Sequence, residues 1–305
     1  MRDTVFFKQA EMLLRILPLI HKEEAFALKG GTAINFFVQD LPRLSVDIDL
    51  TYLPLHERDL ALDEIRNNLV RVANAIKGRM PGTRILLKRI HGTDVIRGLI
   101  VERDGITVKV EPNLVLRGSV YPPETKTLSK RAQDLFELSL QARILSPYDL
   151  YAGKICAALD RQHPRDLFDV HLLLKSEGLQ PEIRRAFIVY LVSHPRPMVE
   201  ILSPKKKDIR DIFEKEFKGM IAEDIPLEAL ETTRNDLVEI LREELTPDER
   251  RFIVSMKEGH PRWDLLALEG VEKLPGVKWK LLNISKMNPA KHQKAVEKLK
   301  DYLGV

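Results

Sequence analysis

The stretch KGGTAINFFVQDLPRLSVDIDL, residues 29 to 50, sets two glycines and a threonine ahead of two aspartates inside an apolar run. Its second half alternates: Val46, Ile48 and Leu50 point one way, and Ser45, Asp47, Asp49 and Thr51 the other. That period of two predicts a strand with one buried face. Asp47 and Asp49 then share the other face, about 7 Å apart along the chain. Two like charges so placed repel unless a cation or hydrogen-bond donors sit between them. A hard divalent ion fits, because magnesium takes a few carboxylates together with phosphate oxygens rather than a complete protein cage. Upstream, the pair Gly30-Gly31 lets main-chain amides approach an anion, and the helix that opens near Thr32 directs its positive end to the same place. Each feature also has a plainer reading: Asp-x-Asp can be a solvated strand end, and Gly-Gly a turn. The stretch is neither a Walker loop nor a dinucleotide fingerprint.

Outward from this stretch, residues 4 to 20 carry helical apolar spacing at Phe6, Phe7, Leu13, Leu14 and Leu17, and residues 57 to 77 read as a second helix. The segments TRILLKRI (83–90), DVIRGLIVER (94–103) and GITVKVEPNLV (105–115) have the β-branched content and turn residues of strands. In the last of them Glu111 alternates with Lys109. If that strand lies beside the first, Glu111 is the natural third carboxylate, and Lys109 either contacts phosphate or neutralises the acids. Pro112 marks a possible strand end directly after Glu111. The texture changes near residue 146, where SPYDL offers Ser146 as N-cap, Pro147 at N1 and Asp149 at N3. Helices dominate from there on, interrupted at SHPRP (193–197) and LPGVKW (274–279). The expected fold is α+β: a mixed sheet flanked by helices over residues 1–145, then a mainly helical domain over 146–305.

The helical part opens with DLYAGKICAALDRQHPRDLFDVHLLL, residues 149 to 174. Lys154 and Arg161 are seven apart and share one helix face. There they could meet phosphate, one as a point charge and the other as a forked donor. After the break at His163-Pro164, Arg165 and Asp166 fall in the first turn of a new helix and Asp169 one turn on. Asp166 can simply complement the helix dipole, while Asp169 pairs with Lys154 or Arg161 to hold the two helices together. Cys156 reads as a small buried residue, and His163 and His171 as local packing rather than metal ligands.

With 305 residues, 44% hydrophobic and 31% charged, the chain is long enough for two cores and has no segment biased towards disorder. A single cysteine excludes an internal disulfide, Asp3 and Glu11 argue against a signal peptide, and no apolar run reaches the roughly 20 residues of a spanning helix. A cytoplasmic protein without a membrane partner is expected. The net charge of +4 is uneven: residues 271 to 305 hold eight lysines against Glu272, Glu297 and Asp301, a net of +5. Such an end either attracts polyanions or is a solvated helix face.

Gly-Gly-Thr followed at this distance by SVDIDL resembles the first motif of the DNA-polymerase-β-type nucleotidyltransferases, and specifically of the AbiEii/AbiGii toxin family. The lysine and Arg-Asp-x-x-Asp segment of residues 149 to 174 is similar to that family's second block. The likeness runs on through HPRWDLL (260–266) and LPGVKWKLLNI (274–284). The resemblance implies a nucleotidyltransferase fold and a metal-dependent transfer of a nucleoside monophosphate from a nucleoside triphosphate to an acceptor hydroxyl. Asp47, Asp49 and Glu111 would hold two Mg²⁺ ions; Gly30, Gly31 and Thr32 would grip the phosphates, aided by Lys109, Lys154 and Arg161; Lys154 and Asp166 would join the catalytic set. It further implies a toxin of a toxin–antitoxin system with a role in abortive infection, whose acceptor is the 3′ end of tRNA or another RNA, whose action blocks translation, and whose partner is a cognate antitoxin. An aminoglycoside-type small-molecule transferase and a catalytically idle partner-binding module are the alternatives.

Overall fold

A computed structural model describes residues 4–305; Asp3, used above against a signal peptide, lies outside the described residues. The chain divides into two compact units, the first running through Leu150 and taking back Lys215–Asp224, the second comprising Tyr151–Glu214 and Ile225–Val305. The boundary expected at 145/146 thus falls a few residues later. A short return segment, invisible to local reading, joins the first unit through main-chain bonds from Leu44 N to Met220 O (2.8 Å) and from Ala222 N to Pro42 O (3.0 Å).

The first unit opens with α1 (Val5–His21), capped by the Thr4 side chain, which accepts from Phe7 N at 3.2 Å. Then come β1 (Phe26–Lys29) and α2 (Gly30–Ala33), which passes directly into a π-helical turn over Ile34–Val38. β2 (Asp47–Tyr52), α3 (Arg58–Arg79), β3 (Arg84–Arg89), β4 (Ile96–Arg103) and β5 (Ile106–Asn113) follow, close to the expected bounds. β6 (Glu124–Thr127), α4 (Lys130–Phe136) and β7 (Gln141–Ile144) were not expected from sequence. The seven strands form one mixed sheet in the order β3-β4-β5-β2-β1-β7-β6. β2 lies parallel to β5 and antiparallel to β1. Leu28, Ile48, Leu50, Val108 and Val110 are buried on one side of it, which leaves the opposite side for the polar set of the same strands.

Pro112 does not end β5. The antiparallel ladder with β4 stops at Val110, whereas the parallel ladder with β2 continues to Asn113, so the proline sits where one neighbour has already left.

The second unit is helical, and proline begins most of its longer helices. α5 (Pro147–Asp160), which spans the unit boundary, α6 (Pro164–Ser176), α7 (Pro181–Ser193), α11 (Pro247–Glu258), α12 (Pro275–Ser285) and α13 (Pro289–Leu303) all start on one. The first helical position needs no amide donor and welcomes the fixed φ of proline. Between them lie α8 (Met198–Leu202), α9 (Arg210–Ile212) and α10 (Leu227–Glu244). At the start of α5, Asp149 N donates to Ser146 Oγ at 3.2 Å as expected. The Asp149 carboxylate accepts from Ser146 Oγ at 2.9 Å and also takes the Val120 and Tyr121 amides, each at 2.9 Å. Among the described residues, no helix is long and apolar enough to cross a membrane.

Candidate active site

In the first unit, register brings the acids together. Parallel pairing sets Asp47 beside Lys109 and Asp49 beside Glu111, while antiparallel pairing sets Lys29 opposite Asp49. One row therefore crosses the open side of the sheet from Glu111 through Asp49 to Lys29. Asp47 and Asp49 are half-buried, whereas Lys109 is exposed.

The glycine pair is packed against this row. Gly30 has φ +70, and a Cβ placed on it would stand 2.6 Å from Asp49 Oδ2. At Gly31 a Cβ would meet the Arg43 guanidinium at 2.5 Å, and Arg43, 2% exposed, has nowhere to go. Both positions therefore disfavour a side chain, and the absence of one at Gly30 leaves the start of α2 packed closely against the Asp49 carboxylate.

Thr32 departs from its expected role. Its side chain is buried, and its hydroxyl bonds the Asp47 carbonyl oxygen at 2.6 Å and Ser45 Oγ at 2.9 Å. The hydroxyl thus fixes the backbone that carries Asp47.

Glu111 also departs in part. It lies in register with Asp49, but its Oε1 accepts from Lys88 Nζ at 2.6 Å. Among the described residues, no three Asp, Glu, His or Cys side chains gather closely enough to hold a metal ion. The three-carboxylate cage expected from sequence is therefore not assembled; Asp47 and Asp49 form a two-acid set next to an amide-rich helix start. That donor set suits a magnesium ion that brings phosphate oxygens with it, since this ion seldom takes a full protein cage. Lys88 escaped the sequence reading. The signal was Gly98, a glycine inside a strand, which marks a close approach.

In the second unit, α5 and α6 are joined by a buried charge cluster. Lys154, 5% exposed, donates to Asp166 Oδ1 at 2.8 Å and lies 3.0 Å from Asp169 Oδ2, both acids being buried. Arg161 forks onto Asp166, with Nη2 2.9 Å from Oδ1 and Nε bonded to Oδ2. Burial alone would raise the Asp166 pKa, but Lys154, and then Arg161, outweigh it and hold this carboxyl far below the usual carboxylate range. The pairing between Asp169 and Lys154 is one the sequence allowed, and Asp166 joins the same lysine. His163 caps α6 by accepting from Arg165 N at 3.1 Å, and His171 Nδ1 bonds Thr233 Oγ1 at 2.8 Å. Cys156 is buried and free, its thiol pushed up by burial.

A seven-stranded mixed sheet with an Asp-x-Asp strand beside a Gly-Gly helix start, followed by a helical unit, defines a nucleotidyltransferase fold. The family model described as nucleotidyl transferase AbiEii toxin, type IV toxin–antitoxin system, matches residues 11–268. The chain belongs to this family and is a nucleotidyltransferase. Among solved structures it is similar to MenT4, a nucleotidyltransferase toxin from Mycobacterium tuberculosis H37Rv. The TM-score is 0.61 and the identity 16%, with 92% of this chain and 93% of the other covered. No curated protein sequence matches it. Membership implies a nucleoside triphosphate substrate and a cognate antitoxin.

Proposed function

We propose that the protein transfers a nucleoside monophosphate from a nucleoside triphosphate to the 3′ end of tRNA in a magnesium-dependent reaction, and that the modified tRNA no longer supports translation. The observation that carries this reading is the close packing of Gly30 against the Asp49 carboxylate, where even a Cβ would stand only 2.6 Å from Oδ2. It sets anion-binding amides and a cation-binding acid at one point, where a metal-bound triphosphate needs both.

Asp47 and Asp49 would hold the ion. Magnesium, when bound, neutralises phosphate charge and eases departure of pyrophosphate. The amides of Gly30 and Gly31 receive the phosphates, and Thr32 holds the Asp47 backbone in place. The acceptor hydroxyl gives its proton to solvent, and its oxygen forms the new bond to the α-phosphorus as the bond from that phosphorus to the bridging oxygen breaks and pyrophosphate leaves. Glu111 is the acid that would complete a second ion site once Lys88 lets it go, with exposed Lys109 offering a further cation for phosphate. Lys154 and Asp166 act as a unit: the carboxylate positions the ammonium, and Arg161 shares the same acid.

The test is incubation with each α-labelled nucleoside triphosphate, Mg²⁺ and either total tRNA or an aminoglycoside. Label on tRNA from the wild type and none from Asp49→Asn supports the reading. Label only on the aminoglycoside, or on nothing, overturns it.

A further inference from the structure

The sequence draws attention to the lysines of the C-terminal end, but one of them, Lys280, is buried and donates to His194 O (2.6 Å) and Arg196 O (2.8 Å). A different basic segment is built into the second unit. Lys205, Lys206 and Lys207 are consecutive and exposed in the loop between α8 and α9. An ordinary surface loop is held by its own turns; this one is held by buried side chains from elsewhere. Gln162, 1% exposed, treats the loop as a strand partner: its Nε2 donates to Lys205 O at 2.8 Å, and its Oε1 accepts from Lys207 N at 3.0 Å. Arg234, 6% exposed, closes the clamp by donating to Gln162 Oε1 at 3.0 Å and to Lys207 O at 2.8 Å.

Gln162 sits at φ +55, a conformation a non-glycine residue rarely takes. Its hold on the loop is what the strained turn provides. The nearby acids Asp160 and Asp208 have other hydrogen-bond partners. The Asp160 carboxylate is taken by Arg196 Nη1 at 2.6 Å, leaving Lys207 Nζ to its main-chain oxygen at 2.9 Å, and Asp208 accepts the Arg210 amide at 3.0 Å. Gln162 directly follows Arg161, the residue that forks onto Asp166. The loop is therefore one residue and one ion pair away from the Lys154–Asp166 cluster.

From this arrangement we infer that the Lys205–Lys207 loop is the surface on which the phosphate backbone of the RNA acceptor docks, a step that rests on the RNA reading above. A main chain held in place beneath exposed lysine heads is what sequence-independent phosphate contact requires: the clamp fixes where the cations stand, and counterion release supplies the affinity.

The experiment measures binding of fluorescent deacylated tRNA to the full-length protein by anisotropy, from 50 to 300 mM KCl, for the wild type, Lys205→Ser/Lys206→Ser and Lys291→Ser/Lys294→Ser. The loop variant is expected to bind about tenfold more weakly near 0.15 M salt. Its log–log salt slope should be shallower by roughly 1.4, the release from two lost single-strand phosphate contacts. The C-terminal variant should match the wild type. Gln162→Met, checked for folding by circular dichroism, should weaken binding while leaving all three lysines in place. An unchanged affinity and slope for the loop variant overturns the inference, as does a loss confined to the C-terminal variant. Displacement of tRNA by poly-glutamate as effective as by polyuridylate at equal charge also overturns it, in favour of an acidic protein. A wild type that binds no tRNA takes the RNA reading down with it.

Discussion

Lys88 on β3 reaches across Gly98 on β4 to set its ammonium 2.6 Å from Glu111 on β5. The glycine makes this possible. Lys88 pairs with Gly98 in the β3–β4 register, and a Cβ there would stand 2.5 Å from Val110 O and 3.3 Å from Glu111 Cγ. A cation already occupies the place where the third acid could serve a metal ion. Lys88→Met should therefore tighten Mn²⁺ binding several-fold, read as loss of free-ion signal by electron paramagnetic resonance. Gly98→Ala should cost about 1 to 3 kcal/mol in urea unfolding, because the obstacle is backbone. Unchanged Mn²⁺ affinity in Lys88→Met would remove Glu111 from the ion's surroundings.

The acid row was legible because a strand's period of two is local: Asp47, Asp49 and Glu111 fall on their faces by counting. The bridge from Lys88 was not: Gly98 marks a close approach, but which side chain crosses it depends on β3 and β5 flanking β4, which no local pattern states. β6 and β7 escaped for another reason. Their sequences, ETKT and QARI, are four residues long with several exposed positions, so neither offers an apolar alternation to count. In the helical unit, Pro147 and the break at His163-Pro164 announced the first two helix starts, whereas the helices beginning on Pro181, Pro247, Pro275 and Pro289 were not marked by local spacing. The clamp made by Gln162 and Arg234 joins residues 72 apart and left no trace in spacing.

Gly30→Ala should injure the transfer more than the fold. The new methyl group would enter the space of Asp49 Oδ2, and φ +70 adds a backbone penalty of about 1 kcal/mol. A loss of at least tenfold in labelled product is expected, with a melting temperature lower by only a few degrees. Retained activity would separate Asp49 from the chemistry.

Lys154→Met should be strongly destabilising, by about 3 to 5 kcal/mol, because it leaves two buried carboxylates without their shared cation. The acid side of the same cluster sets a pH limit. A carboxyl whose pKa is lowered by folding contributes stability above its unfolded value, near 3.9, and that contribution drains as pH falls below it. Asp166 is such a group. Wild-type stability from urea melts should drop steeply below about pH 4, and Asp166→Asn should be less stable at pH 7 with a flatter acid limb.

Lys280 predicts the opposite limb. Burial, reinforced by Lys257, lowers its pKa to about 8. Between that value and the unfolded one the denatured chain binds more protons, so stability from this group rises with pH across the window from 8 to 10.5. The neutral amine keeps enough N–H donors for both carbonyl bonds. The difference in unfolding free energy between wild type and Lys280→Met should move in the wild type's favour over that window, by a few kcal/mol at most. A flat difference would mean that the ammonium is fully compensated by its two carbonyls.

Thr32 separates two roles for one hydroxyl. If the hydroxyl gripped a phosphate, Thr32→Val would raise KM for the nucleoside triphosphate and leave the fold untouched. Its actual bonds, to the Asp47 carbonyl and to Ser45, lie inside the protein. Thr32→Val must therefore leave buried polar atoms unpaired, at a cost of about 1 to 3 kcal/mol. The Asp47 backbone is then free to shift, so kcat should fall with KM little changed. Thr32→Ser keeps the oxygen and should restore both stability and turnover. Steady-state kinetics beside urea melts for the three proteins decide it: a rise in KM alone, with stability intact, would return Thr32 to the phosphate and leave Asp47 to hold its own position.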